Sequence, residues 1–264
     1  PYTIKTTVPV YPDSYFEQDV TFKIYDVTSD GLKVVNRPDK SVQVYVDGQG
    51  LEAMGNYSLE VKEAAGQEAD LTIAFTKDFI RNNGNKNVEV RYWAEVTDAA
   101  VIGPEGNTNN VQLEYNNGPG TTTKADGNEV KVYSFGINVA KFTKDGGEKP
   151  LAGAEFKLYA DAELKQELAT AESDDQGHLQ FDEQLDEGIY YLKETKSPAG
   201  YTLLTNPIKV EITAKEDQYG HATGEFTVKV NDQEITAATG DYTTHLDQAE
   251  GTVTVAVENH KGFT

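Results

Sequence analysis

Three polar residues fall on the apolar faces of predicted strands in the second half of the chain. A strand alternates its faces with period 2, so a polar residue in phase with an apolar set points towards the core. Lys141 continues an apolar face of the strand that starts at Val130, and Asn259 continues a face of alternating valines. Glu194 shares its phase with Tyr190, although the opposite phase of that strand is apolar as well. An amine, a carboxamide and a carboxyl group are therefore expected to meet in one core.

These three groups could form an amide bond between two side chains. Burial disfavours charge, which leaves a neutral amine on Lys141 beside a protonated Glu194. The amine could attack the side-chain carbonyl of Asn259 while Glu194 polarises that carbonyl and passes a proton to the departing ammonia. The alternative is that Lys141 and Asn259 lie at strand ends and extend their side chains to water. The phase of the strands alone does not separate these two interpretations.

Signatures of other chemistry are missing from the sequence. It contains no glycine-rich phosphate loop, no GxSxG elbow and no HExxH helix, and its four histidines are widely scattered. There is no cysteine, which excludes a disulfide framework, a zinc-thiolate site and a cysteine nucleophile. Abundant carboxylates permit a paired-acid mechanism, but no pair has a specific spacing. We therefore expect no cofactor, no metal site and no enzyme acting on separate substrates.

The charge of the chain limits its partners. The 264 residues include 23 Lys and Arg against 44 Asp and Glu, a formal net charge of -21. A nucleic-acid surface needs clustered cations, and an anionic membrane repels this charge. No apolar run is long enough to span a bilayer. We expect no nucleic-acid partner and no membrane insertion.

The order of short strands and turns predicts an all-β protein with two tandem immunoglobulin-like β-sandwich domains. Val, Ile, Thr, Tyr and Phe recur in short runs separated by turn residues, and the length suits two domains. The turn-rich stretch NNGPGTTTKADG, Asn116 to Gly127, marks the boundary, so the domains are residues 1–122 and 123–264. One helix is predicted from Asp161 to Ala171, because Leu164 and Leu168 have i, i+4 spacing.

The second domain resembles the CnaB-type domains of Gram-positive pilins and surface adhesins. The resemblance rests on NVAKFTKDGGEKPLAGAEFKLY, residues 138–159, and on SDDQGHLQFDEQLDEGIYYLKETKSPAGYTLL, residues 173–204. In that family a lysine ahead of the LAGAEF segment bonds to an asparagine near the end of the last strand, and a glutamate in a YxLxETxxPxGY box assists. The resemblance implies these roles for Lys141, Asn259 and Glu194.

The first domain is similar to the CnaA-like middle domain of backbone pilins. The similarity is carried by FKIYDVTSDGL, residues 22–32, and by AAVIGPEGNTNNVQLEYNN, residues 99–117. It implies Asp26 as the catalytic acid and Asn109 as the acceptor, and both continue apolar faces of their strands.

The lysine of the first domain has no good candidate in the sequence. Lys5 and Lys23 lie on the polar faces of their predicted strands. Lys40 and Lys77 are in phase with apolar residues, but they lie at strand ends. We expect the family's lysine on a segment outside this sequence, and hence no bond to Asn109 from these four residues.

The resemblance implies a structural subunit of a sortase-assembled pilus, secreted to the cell wall, whose partners are other pilin subunits. The alternative is a stalk of an adhesin or a minor pilin that binds host matrix or cell-surface proteins. In VPVYPD, Asp13 stands where the similar pilin motif VYPK has the polymerisation lysine. We expect that lysine and the LPxTG sorting signal outside this fragment.

Overall fold

The computed structural model describes residues 1–62, 69–236 and 240–262. The chain divides into two compact units: unit 1 comprises Pro1–Ala100 and Asn107–Val132, and unit 2 comprises Val101–Gly106 and Tyr133–Thr264. Both units are built from antiparallel and mixed β-sheets that enclose separate apolar cores. The predicted all-β fold with two immunoglobulin-like sandwiches is confirmed.

Unit 1 is a sandwich of two sheets. One sheet has the order β1-β8-β4-β5 with β3 paired to β8, and the other has the order β10-β9-β2-β7-β6. The strands are β1 Tyr2–Thr7, β2 Phe22–Thr28, β3 Leu32–Val35, β4 Gln43–Val46, β5 Gln49–Gly50, β6 Tyr57–Val61, β7 Leu71–Phe75, β8 Asn87–Val96, β9 Asn107–Gly118 and β10 Thr121–Val132.

Two short helices complete unit 1, and the sequence patterns did not predict either. A 3-10 helix covers Asp13–Glu17, and helix α1 covers Lys77–Asn83. The hydroxyl of Thr76 caps α1 by accepting a hydrogen bond from Phe79 N. At seven residues α1 is too short to show a clear helical period.

The predicted domain boundary falls inside a hairpin of unit 1. The turn-rich stretch lies at the junction of β9 and β10, where Gly120 has a φ of +66°. Residues 123–132, which the sequence assigns to the second domain, form ladder pairs with β9 and therefore belong to unit 1. Residues 101–106, assigned to the first domain, belong to unit 2, where Ile102 forms a parallel bridge with Ser134.

Unit 2 is also a two-sheet sandwich. One sheet has the order β12-β11-β21-β20 with β15 paired to β11, and the other has the order β14-β13-β16-β17-β18-β19. The strands are β11 Gly136–Thr143, β12 Lys149–Pro150, β13 Glu155–Tyr159, β14 Glu167–Glu172, β15 His178–Gln180, β16 Gly188–Lys196, β17 Ile208–Glu216, β18 Ala222–Val230, β19 Gln233–Glu234, β20 His245–Asp247 and β21 Thr252–Glu258.

The first and last long strands of unit 2 lie side by side. Strands β11 and β21 are parallel and in register from Gly136 opposite Thr252 to Phe142 opposite Glu258. The inward face of β21 is the run of alternating valines seen in the sequence, with Val253, Val255 and Val257 all buried. The pairing of β11 with β21 therefore brings together two strands that lie at opposite ends of the sequence of unit 2.

The predicted helix from Asp161 to Ala171 is wrong. The Asp161 carboxylate accepts hydrogen bonds from the backbone N–H groups of Lys165 and Gln166, which forms a turn. Leu164 has a φ of +55°, which no right-handed helix contains. The residues after this turn form β14, which pairs with β13.

Among the described residues, no helix combines the length and apolar character needed to cross a membrane.

The turn before β15 leads to a prediction about Gly177. Its φ is +75°, and a Cβ added there would lie 2.2 Å from the carbonyl oxygen of Lys141. Gly153 has a similar φ of +78°, but nothing lies within 4 Å of its added Cβ. Gly153→Ala should cost about 1–2 kcal/mol of backbone strain, whereas Gly177→Ala should cost about 1–3 kcal/mol more through the clash. Thermal unfolding of the two variants measures the difference, and equal losses would contradict the predicted contact.

Candidate functional site

The amine of Lys141 lies in the core of unit 2. Lys141 is on β11 opposite Val257 of β21, and its side chain follows the apolar face of that strand. The residue is 0% exposed, and Nζ lies 5.6 Å from the ring centre of Phe156. Its amine therefore has no access to bulk water.

Asn259 and Glu194 reach the same point from two different sheets. Asn259 follows β21 directly, and its N–H donates to the carbonyl of Phe142 on β11, 3.0 Å away. Glu194 lies on β16 in the opposite sheet, on the buried face with Tyr190 and Leu192. Glu194 is 0% exposed and Asn259 is 2% exposed, so neither side chain extends to water.

The three side chains form one contact group. Nζ of Lys141 contacts Oδ1 of Asn259 directly and also donates to the carbonyl of Val257, 3.3 Å away. Glu194 Oε1 lies 3.3 Å from Nζ, and Glu194 Oε2 accepts from Asn259 Nδ2 at 3.2 Å. One carboxyl group thus faces both the amine nitrogen and the amide nitrogen.

Burial makes the amine of Lys141 easier to deprotonate. Loss of solvation lowers the pKa of Lys141 to about 8, although the negative charges of Glu194 and Glu258 oppose this effect. A sizeable fraction of an amine with this pKa is neutral near neutral pH, whereas an ordinary lysine is almost fully charged. The neutral form carries the lone pair that a nucleophile needs.

Two backbone groups of the loop between β16 and β17 complete the site. Leu204 N donates to Glu194 Oε2 at 2.5 Å, and the carbonyl of Thr202 accepts from Asn259 Nδ2 at 2.6 Å. The sequence reasoning missed both, because a backbone group has no residue type that would reveal it. The only sequence signal was the position of this loop directly after the box that contains Glu194.

Unit 1 contains a related cluster in its own core. The hydroxyl of Tyr92 donates to Asp26 Oδ1 at 2.8 Å and accepts from Asn109 Nδ2 at 3.0 Å. All three residues are buried. Asp26 Oδ2 and Asn109 Oδ1 have no hydrogen-bond partner among the described residues. The sequence reasoning named Asp26 and Asn109 but missed Tyr92, which is in phase with buried valines of β8.

None of the four lysines considered for the first domain is hydrogen-bonded to Asn109 in the structure. Lys5 is exposed on β1, and Lys23 lies 4.0 Å from Glu114. Lys40 pairs with Glu95, and Lys77 donates to the backbone carbonyl of Gln18. In unit 1 the side chains of Asp26 and Asn109 are linked by the phenol of Tyr92 and not by an amine.

The buried carboxyl group of Asp26 binds its proton more tightly than an ordinary aspartate does. Loss of solvation raises the pKa of Asp26 to about 7, and the nearby carboxylate of Asp70 adds to the shift. Hydrogen bonds from Tyr92 and Asn109 oppose it. Burial likewise raises the pKa of Tyr92, so this phenol stays protonated. The cluster in unit 1 is therefore neutral at mildly acidic pH.

The described part of the chain shows no group of three or more His, Cys, Asp or Glu residues placed to hold a metal ion. The histidines lie far apart along the chain, and His260 has Asp145 and Glu258 as its acidic neighbours, 3.5 and 3.9 Å away. Neither cluster described above contains a histidine.

Two protein families match most of the chain between them. Residues 1–119 match the family described as Gram-positive pilin backbone subunit 2, Cna-B-like domain. Residues 136–225 match SpaA, a prealbumin-like fold domain. The two matches correspond closely to unit 1 and to the greater part of unit 2.

Similar proteins come from Gram-positive bacteria. The trypsin-resistant surface T6 protein of Streptococcus pyogenes serotype M6 is 29% identical over an alignment of 142 residues, and the match covers 47% of this chain and 25% of that protein. The structure of the T6 backbone pilin has a TM-score of 0.65 at 22% identity, over 99% of this chain and 65% of that chain. The group B streptococcus pilus 2b backbone protein has a TM-score of 0.61 at 21% identity, over 99% and 92% of the two chains. These structural likenesses establish the fold.

The high pKa of Asp26 makes the stability of unit 1 depend on pH. Between about pH 4 and 7 the folded protein keeps a proton on Asp26 that the unfolded chain has lost, so the free energy of unfolding falls as pH rises across this window. The loss is on the order of 3–4 kcal/mol. Asp26→Asn keeps the shape but cannot ionise, so it should remove this dependence.

Trp93 is the single tryptophan and lies in unit 1, so its fluorescence in urea titrations at several pH values reports the unfolding of that unit. Asp126→Asn is the matched control, because Asp126 lies on β10, is exposed and, among the described residues, has Gln112 as the one hydrogen-bond partner of its side chain. An unchanged pH slope in Asp26→Asn would contradict the assignment.

Proposed function

Because this chain belongs to the Gram-positive backbone pilins, we propose that it is a structural subunit of a covalently polymerised pilus on the bacterial surface. Its partners are other pilin subunits, joined to it by a sortase. The observation that carries this proposal is the buried contact of Lys141, Glu194 and Asn259. The match covers a quarter of the length of the curated relative, so the proposal concerns the part of a pilus subunit that these 264 residues form.

The chemistry of the contact group is the formation of an amide between Lys141 and Asn259. A proton moves from Nζ to the carboxylate of Glu194, 3.3 Å away, which leaves a neutral amine beside a carboxylic acid. The amine attacks Cγ of Asn259 and forms the new carbon–nitrogen bond of a tetrahedral intermediate. Hydrogen bonding of the protonated Glu194 to this centre offsets the charge that develops there.

The intermediate then loses ammonia. Glu194 gives a proton to Nδ2, which it faces at 3.2 Å, and takes the remaining extra proton from Nζ. The bond between Cγ and Nδ2 breaks with its electron pair on nitrogen. The products are a secondary amide, a carboxylic acid on Glu194 and one ammonia, so the five protons of the reacting groups are all accounted for.

This reaction happens once in each molecule. The nucleophile, the acceptor and the proton carrier all belong to the same core and have almost no exposed surface. The product stays in place, so no group is regenerated for a second cycle. The chain is therefore a structural protein that modifies itself, and it does not act on separate substrates.

The bond closes a large loop. The two bonded residues are 118 positions apart, and they lie on the first and last long strands of unit 2. By the chain-entropy argument used for disulfides, closing a loop of this size stabilises by about 4–5 kcal/mol. An amide also resists reducing agents, so the stabilisation suits a protein without cysteine on a cell surface.

In unit 1, Asp26 and Asn109 are the acid and the acceptor of an equivalent site without its lysine. Their free oxygens, Asp26 Oδ2 and Asn109 Oδ1, are the atoms that an amine would contact. Tyr92 holds both residues by hydrogen bonds instead. Within the described residues, unit 1 forms no bond of this kind.

The first prediction from this proposal concerns the intact mass. The folded protein should weigh one ammonia less than its sequence, because unit 2 forms one bond and unit 1 forms none. Digestion should yield a branched peptide that joins Lys141 to Asn259. A full-length mass equal to the sequence mass would reject the bond, and a loss of two would reject the account of unit 1.

Glu194→Gln tests the proton carrier within the same experiment. It keeps the size of the side chain but cannot accept and release a proton, so the folded variant should retain its ammonia. Glu258→Gln is the matched control, because Glu258 is a charge near Lys141 that does not face Asn259 Nδ2. Normal bond formation in Glu194→Gln would remove Glu194 from the mechanism.

The second prediction concerns the resistance of unit 2 to a pulling force. Lys141→Met cannot form the bond but fills a similar volume, so it removes the cross-link without opening a large cavity. In single-molecule pulling, unit 2 should extend in this variant by about 400 Å, the length of 118 residues at roughly 3.4 Å each, and should not extend in the parent. Unit 1 should unfold in both proteins and serves as the internal reference. Equal extension of unit 2 in the two proteins would refute the load-bearing role.

The same variant should be digested faster by trypsin. The curated relative is named as trypsin-resistant, and a cross-linked unit 2 is expected to share this resistance, because a protease must wait for the unit to open.

A further inference from the structure

Thr202 contacts both the acceptor side chain of the bond-forming site and the backbone segment that carries it. It lies in the loop between β16 and β17, and its carbonyl accepts a hydrogen bond from Asn259 Nδ2 at 2.6 Å. Its N–H and its hydroxyl both donate to the carbonyl of His260, at 2.9 and 2.7 Å. Thr202 therefore contacts the side chain of Asn259 and also fixes the residue that follows Asn259.

The neighbours of Thr202 fix the loop against the same segment. Tyr201 forms an antiparallel bridge with Lys261, and Gly262 N donates to the carbonyl of Gly200 at 3.0 Å. Two residues after Thr202, the N–H of Leu204 donates to Glu194 Oε2. One short piece of backbone thus positions both the acceptor amide and the carboxyl that faces it.

We propose that Thr202 governs the departure of ammonia in the bond-forming reaction: its carbonyl holds the leaving nitrogen, and its hydroxyl keeps that carbonyl in place. This inference rests on the proposed function, since it assigns a role within that reaction.

The chemistry of the leaving group requires such an acceptor. In the amide, Nδ2 has two protons, and in the intermediate it gains a third before the bond to Cγ breaks. Positive charge develops on this nitrogen in a core that excludes water, because Asn259 is only 2% exposed. A carbonyl dipole aimed at that charge stabilises it without reorganisation. Glu194 Oε2 and the carbonyl of Thr202 are the two acceptors that Nδ2 contacts.

The hydroxyl of Thr202 matters because the carbonyl belongs to a loop. The hydrogen bond from Oγ1 to His260 joins the loop to the segment that carries Asn259, so the carbonyl and Nδ2 stay at one distance. A side-chain hydrogen bond of this kind contributes about 0.5–1.5 kcal/mol. When a hydrogen bond of this strength stabilises the transition state, removing it slows the reaction by about two- to tenfold.

The test compares rates of bond formation in newly made full-length chains. Cell-free translation with a short radioactive pulse is followed by a chase, quenching in detergent and separation of the cross-linked form by its gel mobility, with intact mass as a check. Thr202→Val removes only the hydroxyl and should form the bond about two- to tenfold more slowly. Thr202→Ser restores the hydroxyl and should restore most of the rate.

Thr205→Val is the matched control. Thr205 is exposed in the same loop, and its hydroxyl has no hydrogen bond among the described residues. To separate positioning from stability, each variant is also melted in a Lys141→Met background, where no bond can form. Thr202→Val and Thr205→Val should then melt at similar temperatures.

Three outcomes overturn the inference. They are an unchanged rate in Thr202→Val, a slow rate that serine does not restore, and a slow rate accompanied in the Lys141→Met background by a loss of melting temperature larger than one hydrogen bond accounts for. A parent chain that forms no bond at all rejects the proposed function itself, so the two failures are distinguishable.

Discussion

A lysine amine with no exposed surface is the constraint that orders unit 2. Moving an ionised amine into an apolar core costs several kcal/mol unless it is paired and hydrogen-bonded. Here the amine of Lys141 meets one carboxyl oxygen, one backbone carbonyl and one carboxamide. In the proposed reaction, transfer of its proton to Glu194 removes both charges, and amide formation makes the change permanent. Burial of the charged reactants between the two sheets is therefore the physical basis of the proposed reaction.

Unit 1 also buries a carboxyl group, and there the hydrogen-bond partner of that group is a phenol. A phenol lies between Asp26 and Asn109, and it has the donor and the acceptor that each neighbour needs. The arrangement is neutral when Asp26 carries a proton, which fits the raised pKa of that carboxyl. Two acceptor atoms remain without partners in the described residues, which is a cost that this core tolerates. The buried acid of unit 1 is therefore paired with a phenol, whereas the buried acid of unit 2 is paired with an amine.

Strand phase predicted a good part of this arrangement, because burial on one face of a strand requires alternation. The inward positions of Lys141 and Asn259 followed from the valine and isoleucine faces that they extend. The phase of Glu194 was ambiguous, since Ile189 and Tyr191 are apolar too, and only the structure shows that Ile189 faces solvent. The spacing of Leu164 and Leu168 indicated a helix, but the side chain of Asp161 forms a turn that no periodicity reveals. Tyr92 resembles an ordinary core aromatic, and Thr202 contacts Asn259 through its backbone carbonyl, so neither contact could be predicted from the residue type.

The pairing of β11 with β21 also changes the connectivity of the molecule. With an amide between Lys141 and Asn259, every peptide bond from residue 141 to residue 259 lies in a closed ring, and the polypeptide has two covalent routes across unit 2. One route follows the backbone through all the loops, and the other passes directly through the two side chains. A single cut in any loop of this ring would leave both halves attached through the amide. With that amide in place, the connection between the two ends of unit 2 would not depend on the backbone of any single loop.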